Sequence, residues 1–133
     1  MPNHFHLLIE QTKDVTISTL ISKTCTSFAK YINKKYERVG HVFQDKFKAV
    51  SVDSHPQLMW VSAYIHMNPV KDKIVKNPSQ WEWSSYNDFS GDRNLPIVYK
   101  DILESIFGKK DNFKKETLVL SSDTDMSKTV FDI

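Results

Sequence analysis

Two histidines separated by a single residue, close to the start of the chain, constrain the fold more than any other feature. The first ten residues read MPNHFHLLIE, which predicts a turn followed by a β-strand. Because alternate side chains of a strand share a face, His4 and His6 are expected to point the same way, with an apolar row on the reverse. Two imidazoles on one rigid strand suit a divalent metal ion. The same pattern also fits surface histidines or hydrogen-bonded core histidines.

Length and composition indicate one globular domain. The chain has 133 residues, of which 40% are hydrophobic and 26% are charged, as in ordinary soluble proteins. No apolar run is long enough to cross a bilayer, and the start lacks the basic region and apolar core of a signal peptide. We therefore expect a cytoplasmic protein without a membrane partner. A single cysteine, Cys25, excludes an internal disulfide.

Charge is distributed unequally along the chain. Residues 1–86 contain 11 Lys or Arg and 7 Asp or Glu, whereas residues 87–133 contain 7 and 9. The basic excess therefore lies in the part that carries the histidines. Such an excess is compatible with a polyanionic partner such as nucleic acid, and also with an ordinary solvated surface.

The sequence after the histidines predicts a helix that is capped by Asp14 or Thr16, runs to about Arg38 and buries one apolar face. Its end is basic. Lys34, Lys35 and Arg38 either compensate the helix dipole or contact phosphates. Residues 41–52, HVFQDKFKAVSV, then predict a strand with Phe43 and Phe47 toward the core. The opposite face, which carries Gln44, Lys46 and Lys48, would contact a DNA backbone or protect a sheet edge.

A second helix is predicted to begin at Ser54, where Gln57 completes a capping-box pattern. Tyr64 and Asn68 lie one turn apart on it, and Pro69 should end or kink it near Asn68. Beyond it, an aromatic-rich loop over residues 77–86 favours packing on the core over stacking on bases. Helices are then expected over Ile97–Phe107, stopped by Gly108, and over Asp111–Leu118, before a frayed tail.

A histidine pair, a phenol and an amide are the parts needed for metal-assisted phosphoryl transfer. Tyr64 would be the nucleophile once nearby positive charge favours its phenolate, and Asn68 would be a third metal ligand. Taken separately, Tyr64 also fits a core aromatic and Asn68 a residue at a helix end.

Four segments occur in the order MPNHFHLLIE, GHVFQDKF, YIHMNPVKDKIV and WSSY. In this order they resemble the single-tyrosine transposases of the His-hydrophobic-His (HUH) superfamily, insertion-sequence type, in the branch associated with repetitive extragenic palindromes. The resemblance covers residues 1 to about 86. It implies an α+β fold, a ferredoxin-like antiparallel sheet with helices. Relatives carry a strand, a helix and a strand before the MPNH turn, so the resemblance implies a sheet incomplete at the N-terminus. Residues 1–90 would form a truncated catalytic domain, and residues 91–133 a helical extension.

The resemblance also implies a function in DNA transposition and recombination. In that family the histidine pair, here His4 and His6, binds Mg²⁺ or Mn²⁺. The tyrosine that matches Tyr64 attacks single-stranded hairpin DNA, forms a 5′-phosphotyrosine link and frees a 3′-hydroxyl, which makes the protein an endonuclease and strand transferase. Asn68 occupies the position at which some relatives have a further ligand. His66 is expected to point off that face and is not counted as a ligand.

Two alternatives remain open at this point. One is a non-catalytic DNA-binding remnant of such a transposase. The other is a nucleotide hydrolase with a histidine triad, which Leu8 disfavours because it stands where a third histidine is needed. An incomplete sheet would also expose edges and apolar surface, so we expect either a homodimer or an edge filled by Thr117–Leu120.

Overall fold

The computed structural model describes residues 1–122, and the fold of this part is helical. The described residues form two compact units, Leu7–Ala49 on the one hand and Met1–His6 with the residues from Val50 onward on the other. The elements in chain order are α1 (Ile17–Lys35), α2 (His55–Lys71), a 3₁₀ helix (Pro78–Gln80), α3 (Tyr86–Phe89), α4 (Asp101–Phe107) and α5 (Lys110–Ser121). None of these helices has both the length and the apolar composition required to cross a bilayer.

The predicted ferredoxin-like antiparallel sheet is wrong, because residues 1–122 contain no strand. The backbone from His4 to Thr12 and from Lys46 to Asp53 has no regular secondary structure. A strand exists only when a neighbour exchanges N–H···O bonds with it, and neither segment has such a neighbour. Alternation of side chains is a local signal and does not reveal the non-local partner that makes a sheet. The apolar side chains of Phe5, Leu7 and Phe47, which the strand pattern placed on buried faces, are 45–58% exposed.

The unit Leu7–Ala49 contains α1, and its start agrees with the sequence. Thr16 is the N-cap, and its side chain accepts a hydrogen bond from the Thr19 N–H. Near the other end of α1, the Asn33 amide donates to the Gly40 carbonyl at 2.9 Å. The predicted burial of one face is wrong for most of its length. Ile21 is buried, but Leu20 is 52% exposed and Phe28 is 48% exposed.

In the second unit, α2 begins as the sequence predicts and ends later. The Ser54 side chain accepts from the Gln57 N–H, and the Gln57 amide oxygen in turn accepts from the Asp53 N–H at 2.8 Å. Pro69 does not stop the helix, which continues to Lys71, and the Asp72 N–H donates to the Asn68 carbonyl at 2.9 Å. Pro69 removes one N–H donor. Pro69 and Asn68 are both buried, and this packing offsets the loss.

The core of this unit lies where α2 packs most extensively against α5 and also contacts α4. Its buried apolar members are Leu58, Tyr86, Leu103, Phe107 and Phe113. Gly108, with φ +70°, ends α4 as predicted, and the next helix is longer than predicted. Residues 117–120 belong to that helix and do not fill a sheet edge. The predicted frayed tail lies outside the described residues.

His66 connects α2 to this core. Its Nε2 lies 3.0 Å from the Ser85 hydroxyl and its Nδ1 lies 3.5 Å from the Ser62 hydroxyl. The rings of Tyr86, Phe89 and Phe113 surround it, with centroids 5.5–5.9 Å away. Burial lowers the pKa of His66 to about 4, so the imidazole is neutral at pH 7.

We expect this histidine to make stability depend on pH. In the unfolded chain His66 titrates near pKa 6.5, and in the folded protein near 4. Between these values the unfolded state binds more protons, so the free energy of unfolding falls as pH decreases from 6.5 to 4, by about 3 kcal/mol in total. Denaturant unfolding at pH 7 and pH 4 measures this loss. His66→Gln removes the titrating group. The decrease in its free energy of unfolding between pH 7 and pH 4 should therefore be smaller than that of the parent by about 3 kcal/mol. Equal losses in the two proteins would contradict the assignment.

A second prediction concerns Thr117, which is fully buried on α5 and whose hydroxyl has no hydrogen-bond partner among residues 1–122. A buried, unpaired hydroxyl costs stability, whereas valine offers nearly the same shape without the polar atom. Thr117→Val should therefore raise the free energy of unfolding by about 1 kcal/mol. Thr117→Ser, which keeps the hydroxyl and loses the methyl, should lower it. A valine variant that is less stable than the parent would show that the hydroxyl has a partner in solution.

Candidate active site

The two histidines of the N-terminal segment lie side by side. Their ring centroids are 5.1 Å apart and the rings meet edge to face at 85°. His4 is exposed, and its Nδ1 lies 2.8 Å from the Asn3 side-chain oxygen. His6 is partly buried. The pair is thus close together although its segment is not part of a sheet.

Tyr64 on α2 packs against this pair through His6. The two ring centroids are 5.8 Å apart, at an interplanar angle of 79°. One turn earlier on the helix, Trp60 stacks on the tyrosine ring at 5.3 Å and 23°. The indole is 1% exposed, so a buried ring supports one face of the tyrosine. The fold therefore brings Tyr64 and the histidine pair, which are about 60 residues apart in sequence, into one place.

The protein environment favours the neutral forms of Tyr64 and His6. Burial, and then the Asp72 carboxylate, raise the pKa of the Tyr64 phenol. Burial lowers the pKa of His6, with further contributions from His4 and the N-terminal ammonium, while Asp72 opposes the change. A neutral imidazole has the lone pair that a metal ion needs. A neutral phenol is a weak nucleophile, so Tyr64 needs added positive charge to react.

The histidine pair fits a divalent ion in part. It supplies two imidazole donors in close proximity. Within residues 1–122, however, no three His, Cys, Asp or Glu side chains are grouped so that they could hold a metal ion. Asn68, one turn beyond Tyr64, is 6% exposed and carries an amide oxygen, a donor that suits Mg²⁺ or Mn²⁺. A complete site therefore requires an oxygen ligand such as this amide.

The candidate DNA-binding residues all belong to the other unit, Leu7–Ala49, and all of them are exposed. Lys34 and Lys35 lie in the last turn of α1, and Arg38 follows it. The Lys35 ammonium lies over the rings of Tyr36 and Tyr31, at 5.3 and 5.6 Å. Gln44, Lys46 and Lys48 lie on a segment without regular structure, which corrects their predicted placement on a strand.

Three residues beside Tyr64 were not assigned a role from the sequence. Trp60 stacks on its ring, the Lys71 ammonium lies 5.4 Å from its centroid, and Asp72 acts on its pKa. Trp60 lies four residues before Tyr64 and Lys71 lies seven residues after it. Both spacings place side chains on the same face of a helix, so the sequence could have indicated that both residues lie near Tyr64. Asp72 follows the end of the helix, where spacing is a weaker guide.

The aromatic loop after α2 divides between core and surface. Tyr86 is buried in the core, whereas Trp83 is 78% exposed. The loop is held by Arg93, which donates to the carbonyls of Glu82 and Ser84 and to the Asp88 carboxylate. The predicted packing on the core is therefore correct for Tyr86 and wrong for Trp83.

Residues 1–68 match the family described as "Transposase IS200 like". The matched stretch contains both histidines and ends on α2, four residues after Tyr64. No curated protein and no solved structure gives a significant match.

Proposed function

Since the chain belongs to the family of IS200-like transposases, we propose that it cuts and joins single-stranded DNA with Tyr64 as the nucleophile. The packing of Tyr64 against His6, at 5.8 Å between ring centroids, carries this proposal. It joins the two motifs that the chemistry requires, a phenol and an imidazole pair. The order of the four sequence segments further supports the HUH superfamily and its branch associated with repetitive extragenic palindromes.

In the proposed step, the Tyr64 phenolic oxygen attacks a phosphodiester of the DNA. The new bond joins this oxygen to phosphorus, and the bond between phosphorus and the 3′ oxygen breaks. The phenolic proton passes to water, and the departing 3′ oxygen takes a proton from water, so that a 5′-phosphotyrosine and a free 3′-hydroxyl result. A DNA 3′-hydroxyl can reverse the step, which joins the strand to a new end and restores the tyrosine.

His4 and His6 would hold the metal ion, Mg²⁺ or Mn²⁺, and Asn68 would add an amide oxygen. When bound, such an ion would polarise the phosphate and supply the positive charge that a phenol with a raised pKa lacks. Trp60 holds the tyrosine ring by stacking, which restricts its motion before substrate arrives.

The partner in this proposal is single-stranded DNA that contains a hairpin. Cations at the end of α1 and on the following segment would contact its phosphates: Lys34, Lys35, Arg38, Lys46 and Lys48, together with the amide of Gln44. Residues 1–90 remain the proposed catalytic domain, and the following region contributes α4 and α5, which pack against its helix α2. A homodimer also remains a proposal, which the exposed apolar side chains of α1 support.

The alternative is DNA binding without catalysis. Two observations favour it: the pKa of Tyr64 is raised, and residues 1–122 contain no preformed group of three His, Cys, Asp or Glu ligands. Under this alternative the histidines and Tyr64 would form part of a binding surface. The formation of a covalent DNA adduct separates the two functions, because binding alone leaves none.

The main prediction concerns Tyr64→Phe, which deletes one hydroxyl and keeps the ring that stacks on Trp60. Packing and DNA affinity should change little, whereas cleavage and the covalent adduct should both disappear. A denaturing gel of protein incubated with hairpin-bearing single-stranded DNA and Mn²⁺ measures the adduct. Tyr99→Phe, which removes the hydroxyl of an exposed tyrosine, is the matched control and should react like the parent. A band that persists in Tyr64→Phe would reject Tyr64, and no band in the parent would favour binding without catalysis.

A further prediction concerns the ligands. Replacing His4 and His6 together by Ala removes both imidazole donors. Mn²⁺ affinity measured by calorimetry should therefore fall at least about tenfold, because the ion loses two of its proposed ligands. His41→Ala removes an exposed histidine elsewhere and should leave the affinity unchanged. Helix content from circular dichroism checks that each variant is folded. Equal affinities in parent and double variant would place the metal elsewhere.

A further inference from the structure

Lys71 is the last residue of α2 and lies close to the proposed nucleophile. Its ammonium is 5.4 Å from the centroid of the Tyr64 ring. Seven residues separate them, close to two helical turns, so both side chains leave the same face of the helix. Building on the proposed function, we propose that Lys71 binds a phosphate of single-stranded DNA beside Tyr64 and so positions the phosphodiester that Tyr64 attacks.

The charges around Tyr64 require such a cation. Asp72, the next residue in the chain, carries a carboxylate that acts on Tyr64, so it places negative charge where an anionic phosphodiester must approach. Lys71 carries the compensating charge on the helix of the nucleophile itself. No ion pair joins it to Asp72, since the ion pair found within residues 1–122 is Arg93 with Asp88.

The contact that Lys71 makes is one that it can exchange for a phosphate. A cation over an aromatic ring at an exposed position is held weakly, whereas an ammonium and a phosphate oxygen form a charge-assisted hydrogen bond. The lysine stem is long and flexible, and Lys71 is exposed. The ammonium can therefore move from the ring face to a phosphate next to the phenolic oxygen while the backbone stays in place.

The effect on the reaction would be electrostatic. As the phenolic oxygen attacks, negative charge on the phosphoryl oxygens must be stabilised, and a fixed cation beside them lowers the barrier. In this role Lys71 acts only as a cation and transfers no proton. A guanidinium would serve the same purpose, because it also donates to phosphate oxygens, while a neutral amide would not.

The test compares Lys71→Gln and Lys71→Arg with Lys115→Gln. Lys115 is an exposed lysine on α5, and its variant carries the same loss of charge. In a single-turnover assay with saturating hairpin DNA and Mn²⁺, adduct formation should slow at least about tenfold in Lys71→Gln. It should change less than about twofold in Lys115→Gln and recover most of its rate in Lys71→Arg.

The salt dependence of DNA affinity is the second readout. Each phosphate contact on a single strand contributes about 0.7 to the slope of log affinity against log salt. Lys71→Gln should reduce the slope by that amount, and Lys115→Gln should not. An unchanged slope together with an unchanged rate would overturn the proposal, as would a loss that Lys115→Gln shares equally. If the parent forms no adduct, the proposed chemistry fails by itself, and the slope still decides whether Lys71 binds phosphate.

Discussion

The burial of His66 anchors the face of α2 that packs against the aromatic rings of α3 and α5. Its imidazole is hydrogen bonded to two serine hydroxyls and surrounded by three aromatic rings. Tyr64 precedes it by two residues, which corresponds to a rotation of about 200° around the helix axis. With His66 in the core, Tyr64 is therefore turned away from it and toward His6. One buried, neutral side chain thus orients the residue to which we assign the chemistry.

The support for this helix comes from a part of the chain that the family match does not cover. The match ends at residue 68, within α2. The residues that pack on its buried face are Tyr86, Leu103, Phe107 and Phe113, on α3, α4 and α5. The proposed reactive groups thus lie in the matched part, and the core that holds Tyr64 in place is completed by later helices. Substitutions in α5 should for this reason act on the tyrosine through helix packing.

Local signals in the sequence predicted the helices well. Thr16 and Ser54 cap their helices, and Gly108 ends α4, because each of these effects depends on a few neighbouring residues. The sheet could not be predicted in this way, since a strand depends on a distant partner that alternation does not reveal. Pro69 shows the opposite case. Proline disfavours helical geometry at the preceding residue, but burial of Pro69 and Asn68 in the core overrides this preference and the helix continues.

The sequence was sufficient to predict which residues belong to the site, but not how they are arranged relative to one another. His4, His6 and Tyr64 follow from motifs, but their contact depends on how the N-terminal segment meets α2. The stacking of Trp60 and the position of Lys71 also depend on side-chain packing, and the sequence analysis assigned neither residue to the site, although both lie at helical spacing from Tyr64. The exposure of Trp83 could not be deduced, because the Arg93 hydrogen bonds that hold its loop join residues up to 11 apart.

The central claim is that the histidine pair holds a metal ion beside Tyr64 on one face of α2. The most direct measurement is a titration of the protein with Mn²⁺ in which the ring resonances of its tyrosines are followed by NMR, assigned with single Tyr→Phe variants. Paramagnetic broadening falls steeply with distance. The account predicts that Tyr64 broadens first and that Tyr86, in the core beside His66, broadens later. Broadening of Tyr86 before Tyr64, or of neither, would contradict it.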